Sequence, residues 1–180
     1  QGKEASFLEV SKMMWEDIEY FYPFADYPML NATLNIIASN DASINKVYLS
    51  TSRQNPPHYQ DAYYFAEIIK YHLEKIGIPC ELRVCSDNPN NFSKIVDFYT
   101  ALFDEVGSEF EKVFVSNSGG TPNMRSASHF AGIFRGFEYI TISADDQANL
   151  QSFKKQEHLI LANIIKSMLN VFDYEGIIQL

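Results

Sequence analysis

Cysteine is scarce in this sequence: two residues in 180, Cys80 and Cys85. They are five apart on what reads as one strand, so they point to opposite faces and do not pair with each other. A CxxC spacing is missing, which excludes a metal knuckle or a dithiol redox motif. Both thiols are therefore expected as buried small hydrophobes. The four histidines (His58, His72, His129 and His158) show no HxxxH or HxH spacing, so no zinc site and no metal is expected. No apolar run approaches the ~18 residues that span a bilayer, and no charged-then-apolar signal opens the chain. A cytoplasmic protein with no membrane partner is expected. Basic residues are few, 14 against 23 acidic, for a net charge of −9. That balance argues against a groove for duplex DNA, where many phosphates must be neutralised. It leaves room for a small anion held by backbone N–H groups.

What is present is a globular composition, 46% hydrophobic and 21% charged. A chain this long buries roughly 70% of its unfolded surface, enough for a core without staples. Apolar positions recur at helical spacing over residues 6–22, and a second helix follows Pro28, over 28–39. KVYLS (46–50), ELRVC (81–85), KVFVS (112–116) and EYITIS (138–143) read as strands. Helices are expected between them at 59–75, 92–106 and 121–135, with a closing helix over 150–171. The alternation implies an α/β fold with a Rossmann-like, mostly parallel sheet flanked by helices on both faces. Residues 1–150 form the expected domain and 151–180 a C-terminal appendage. The first residue is not methionine and FDYEGIIQL stops in mid-pattern, so a longer parent chain is expected.

In a doubly wound sheet, strand 81–85 would lie on one side of strand 46–50 and strand 112–116 on the other. Ligands bind beyond the carboxyl ends of strands at that switch point. The two loops there carry Ser50, Thr51, Ser52, Arg53, Gln54 and Asn55, then Ser116, Asn117, Ser118, Gly119, Gly120, Thr121, Pro122 and Asn123. Gly119-Gly120 permits close backbone approach or positive φ. Thr121 suits an N-cap and Pro122 the first helical position. The N–H groups of Asn123 and Met124 would then face an anion. The same pattern also serves an ordinary strand-to-helix turn with a good cap. Arg53 and Arg125 are the cations near these loops. Neither a Walker lysine nor GxGxxG is present, no GxSxG elbow occurs, and no organic cofactor is implied. Tyr59, Tyr63, Tyr64 and Phe65 are compatible with base stacking, but at this spacing read as core and rim. Asp61 reads as a first-turn acid, and Asp145-Asp146 as a solvated loop.

KVYLSTSRQNPPHYQDAYYFAEII, DNPNNFSKIVDFYTALFDEV and VFVSNSGGTPNMRSA follow one another in a way that resembles the CRISPR-associated Rossmann-fold (CARF) family. The likeness is to sensor domains of type III CRISPR accessory ribonucleases. It runs from about Lys46 to Ile142, and its most specific part is Gly119, Gly120, Thr121, Pro122 and Met124. TSRQNPP stands where relatives often carry an acidic or aromatic residue. The resemblance implies an antiviral-defence sensor, a homodimer binding a cyclic oligoadenylate second messenger. Its ligand residues would be Thr51, Ser52, Arg53, Gln54, Ser116, Asn117, Ser118, Gly119, Gly120, Thr121, Pro122, Asn123 and Met124. It also implies an effector ribonuclease beyond residue 180, toward which helix 151–180 would lead. Some such domains cleave the ring slowly without metal. Here Ser52, Asn117, Ser118 and Asn123 would position it, Arg53 or Arg125 offset charge, and His58 move a proton.

A different class competes. VSNSGGTPNM also resembles the phosphosugar loop of sugar isomerase (SIS) domains, in which Ser116, Ser118 and Thr121 would grip a sugar phosphate. Against it, helix 92–106 and the DNPNNF segment have no place in that compact pattern.

Overall fold

Ser6 opens the first helix by exchanging bonds with Glu9: its hydroxyl accepts the Glu9 N–H at 3.3 Å, and its own N–H reaches the Glu9 carboxylate at 2.8 Å. The computed structural model describes residues 5–133, 135–142, 148–152 and 162. Helix α1 (Phe7–Glu16) is cut at Asp17, whose φ of −126° and ψ of 49° leave the helical region. The short α2 (Ile18–Phe21) and a 3-10 turn (Tyr22–Phe24) follow, where Pro23 removes an N–H. The helix expected over 6–22 is therefore two helices and a turn. Helix α3 (Pro28–Ala38) begins on its proline, as expected.

Strand β1 (Val47–Ser52) pairs in parallel with β2 (Cys80–Cys85), and α4 (Tyr63–Lys75) crosses between them. Helix α5 (Phe92–Glu109) leads to β3 (Phe114–Ser116), and α6 (Pro122–Gly132) to β4 (Glu138–Ile142), parallel to β3. The parallel, helix-flanked α/β character matches expectation. Two features do not. The four strands were expected in one sheet, but the ladders are β1-β2 and β3-β4-β5, with none joining β1 to β3 among the described residues. Strand β3 has only three residues, which leaves little backbone to carry a ladder across. The second correction concerns the closing helix expected from 150. Residues Ala148–Ser152 form a strand, β5, antiparallel to β4, so the open edge of β4 is paired instead. The rest of that expected helix lies outside the described residues, except residue 162. So does most of the appendage 151–180.

Helix α5 joins the two ladders. Its buried Ile95, Tyr99, Leu102, Phe103 and Val106 share one apolar cluster with Cys85 of β2, Tyr139 of β4, and Met124, Ala127 and Ala131 of α6. Tyr48 of β1 and Val115 of β3 pack against it. Polar ties support the same joint: Ser50 Oγ to Tyr99 Oη at 3.1 Å, Tyr48 Oη to Glu109 at 2.6 Å, and the Arg83–Glu105 ion pair. Helix α4 covers the other face of β1-β2, and α1 packs on α4. The two cysteines divide as the strand period requires. Cys85 joins the α5 cluster, whereas Cys80, also buried, lies near the α4 side chains Glu67, Lys70 and Glu74. Among the described residues, no helix is long and apolar enough to cross a membrane.

Candidate functional site

Strand β1 ends on two buried hydroxyls, Thr51 and Ser52, 3% and 7% exposed. Thr51 Oγ1 has no hydrogen-bond partner. The chain leaves the sheet at Arg53, whose N–H donates to the Cys85 carbonyl at 3.0 Å. It then wraps around a carboxylate. Asp61 is 1% exposed and accepts the Gln54 N–H at 3.0 Å, the Gln54 side-chain amide at 3.1 Å and the His58 N–H at 2.8 Å. Burial acts to raise its pKa, but these bonds, with one from Ser52, outweigh it and hold the carboxyl below its ordinary value. Asp61 therefore organises the loop as an anion satisfied by neutral donors. It also explains why α4 starts at Tyr63 rather than at 59: residues 59–62 belong to this turn. His58 Nδ1 accepts the Gln60 N–H at 3.3 Å, which puts the neutral ring's proton on Nε2.

The second loop follows β3. Exposed Ser116 shares a 3.2 Å hydrogen bond with Thr33 of α3. Asn117 donates its N–H to the Ile140 carbonyl at 3.1 Å and its side-chain amide to the Arg125 carbonyl at 3.2 Å. The Ser118 hydroxyl oxygen is buried and has no hydrogen-bond partner. Gly120 has φ +83°, a conformation that excludes most side chains, while nothing lies within 4 Å of a Cβ built on Gly119. Thr121 caps α6 as expected, accepting the Met124 N–H at 3.2 Å, with Pro122 first in the helix. Met124 is buried under the turn, against Gly120.

A third segment enters here that sequence reasoning did not assign to the site. Thr121 donates its hydroxyl to the Pro89 carbonyl at 3.4 Å, and Asn123 its side-chain amide to the Asn90 carbonyl at 3.0 Å. The next residue, Asn91, caps α5 by accepting the Lys94 N–H at 3.3 Å. The α5 and α6 N-termini are thus tied side by side. The segment SDNPNN (86–91) is rich in turn-forming residues, a signal for a turn that names no neighbour. Among the described residues, no hydrogen bond or ion pair runs directly between residues 51–54 and 116–124. They are linked through the end of β2, where Arg53 meets Cys85 and the following turn meets Thr121 and Asn123.

Charge pairing separates the four arginines. Arg83 binds Glu81 and Glu105, and Arg135 binds Asp104. None of these three ion pairs involves a residue of the two loops. Arg53 and Arg125, one beside each loop, are exposed and make no ion pair among the described residues. Arg53 instead lies over the Tyr63 ring, 4.5 Å from its centroid. Among the described residues no cluster of three His, Cys, Asp or Glu side chains could hold a metal ion. Asp145 and Asp146 lie outside them.

No family model matches the chain, and no curated protein matches it in sequence. Among solved structures, one that is similar is Can2 from Sulfobacillus thermosulfidooxidans in complex with cyclic tetra-adenylate. The overlay has a TM-score of 0.40 at 15% identity, over 64% of this chain and 32% of Can2. The chain thus spans about a third of Can2's length, and a likeness at this level assigns no function.

Proposed function

We propose that the domain binds cyclic oligoadenylate across the loops 51–54 and 116–124, as the sensor of a type III CRISPR accessory nuclease. The observation that carries the reading is the distribution of arginines. In a chain of net charge −9, the two arginines beside these loops are the two without a carboxylate partner among the described residues. A carboxylate is the readiest partner such a chain can supply, so leaving both guanidinium groups without one favours a nucleotide from outside, whose phosphate takes the edge of such a group and whose base takes its face. The α6 N-terminus adds N–H donors and its dipole, and open Gly119 lets a phosphate come close. Ser118 supplies a hydroxyl that still lacks a partner. A ring with two-fold symmetry would meet the same groups twice in a homodimer, so the reading includes a dimer. A sugar phosphate fits less well, because the hydroxyls of Ser116 and Thr121 are already engaged.

Thermal unfolding tests the proposal against cyclic tri-, tetra- and hexa-adenylate, with linear oligoadenylate and a hexose phosphate as controls. At a hundredfold excess over Kd, a true ligand adds about 2.7 kcal/mol, a shift of several degrees. A shift with one ring alone supports the reading and fixes ring size. A shift with the sugar phosphate alone, or none at all, overturns it.

A further inference from the structure

The Arg53 guanidinium lies over an aromatic ring, a position in which it can be more than a counter-charge. Its guanidinium carbon is 4.5 Å from the Tyr63 centroid, at the first residue of α4. Tyr63 is itself fixed, since its hydroxyl donates to Glu67, one helical turn on, at 2.6 Å. That bond, ahead of burial, raises the phenol's pKa, so it stays protonated and keeps donating. The Arg53 backbone is anchored separately, through its N–H to Cys85. A planar cation is thus held at both ends, on a half-buried ring, at the carboxyl end of β1. The residue remains exposed.

We infer that the Arg53–Tyr63 pair is a stacking platform for a nucleobase, so that the first loop reads the base while the second takes the phosphate. The inference rests on the nucleotide-binding reading above and gives the two loops different tasks. A guanidinium plane offers one face to Tyr63 and the other to a base, and it is weakly hydrated, so covering it costs little. A phosphate would bind the same group edge-on through its N–H fork, without needing the ring beneath. The ring therefore distinguishes the two uses. Nearby, Tyr64 packs edge-on against Tyr63 at 5.4 Å, which restrains the platform from the side. Stacking accepts any base, so the platform sets affinity and orientation; choice of base falls to other groups.

The test uses a cyclic oligoadenylate with one adenine replaced by 2-aminopurine, whose fluorescence is quenched on stacking. It is titrated into the protein, Arg53→Lys and Tyr63→Leu. Lysine keeps the charge but has no plane. Quenching in the wild type, lost in both variants with affinity about 5- to 100-fold weaker, is the expected result. If Arg53→Lys binds and quenches like the wild type, the platform is wrong while ring binding stands. If Arg53→Lys binds equally well but Arg53→Gln does not, Arg53 serves only as a charge, and the inference also fails. If unlabelled ring does not bind the wild type at all, the underlying reading has failed instead. Urea unfolding of each variant separates lost binding from lost fold.

Discussion

Asp61 receives both nitrogens that Gln54 can offer, the backbone N–H at 3.0 Å and the side-chain amide at 3.1 Å. One buried carboxylate thereby fixes the course of the chain for the residues that follow β1. Asp61→Asn keeps the shape but turns an NH2 group toward at least one of three donors. It should cost about 1–3 kcal/mol, as for other buried polar groups left facing like partners. The carboxyl titrates lower in the folded chain than in the unfolded one, whose ordinary value is 3.8. Its contribution is therefore present above that value and lost as pH falls through the folded pKa. Urea melts at pH 7 and pH 3 check this: the gap between wild type and Asp61→Asn should narrow in acid. An unchanged gap would mean the carboxylate does not organise the turn.

The two glycines of the second loop should separate. Gly120 stands at φ +83°, with Met124 atoms 3.4 Å from where a Cβ would lie. Gly120→Ala should lose about 1–2 kcal/mol through the left-handed backbone alone. Gly119 has open space around its missing Cβ, so Gly119→Leu should leave the melting temperature nearly unchanged while abolishing ring binding. Gly119 is therefore the cleaner probe of ligand approach, since substitution at Gly120 also perturbs the turn. Calorimetry with the ring, beside thermal melts, reads both. Full affinity in Gly119→Leu would remove the loop from the site.

Both thiols should be silent in the native protein. Burial, before any other cause, raises the pKa of each, that of Cys80 to about 11. Ellman's reagent at pH 8 should find no thiol in the folded chain and both in guanidinium. The unfolded thiol titrates near 9, so stability is full below that pH and falls as pH rises toward 11. Cys80→Ser should flatten much of this alkaline loss. Rapid native labelling would show that one cysteine is accessible.

Gly132 should tolerate no side chain. A Cβ there would run into the Tyr139 hydroxyl, which donates to the Ser128 carbonyl at 2.9 Å, and lie 3.2 Å from the Phe103 ring. Gly132→Ala should cost at least about 1–3 kcal/mol by overpacking. Tyr139→Phe removes the nearest atom, so the double variant should recover part of that loss. Chemical denaturation of the four proteins gives the coupling. Additive losses would contradict the contact.

The helix and strand order was legible because period and turn chemistry are local. Val47–Ser52, Cys80–Cys85 and Pro28–Ala38 announce themselves through β-branched residues or an initial proline. So does the Thr121-Pro122 start of α6, which depends on four adjacent residues. What failed depends on distance. Whether β1 and β3 share a ladder is a matter of sheet closure, on which neither strand's composition bears. Asp61 looked like a helix-start acid because its partners, Gln54 and His58, are brought by the loop's course. The approach of Pro89 and Asn90 to Thr121 and Asn123 spans more than thirty residues, and no spacing rule reaches that far. Residues 150–152 carried a helical pattern, and strand pairing with β4 overrode it.

Helix α5 works as a splint. The halves it joins share no ladder among the described residues, so their cohesion rests on side-chain contacts, along its 18 residues and where Thr121 and Asn123 meet the Pro89 and Asn90 carbonyls, rather than on strand pairing. An interface made that way resists separation but permits small sliding, as packed helices do and hydrogen-bonded strands do not. The first loop belongs to one half and the second to the other. The separation of the two loops then depends on side-chain packing in which Tyr99 and Phe103 take part, and a ligand that spanned both loops would fix it at one value.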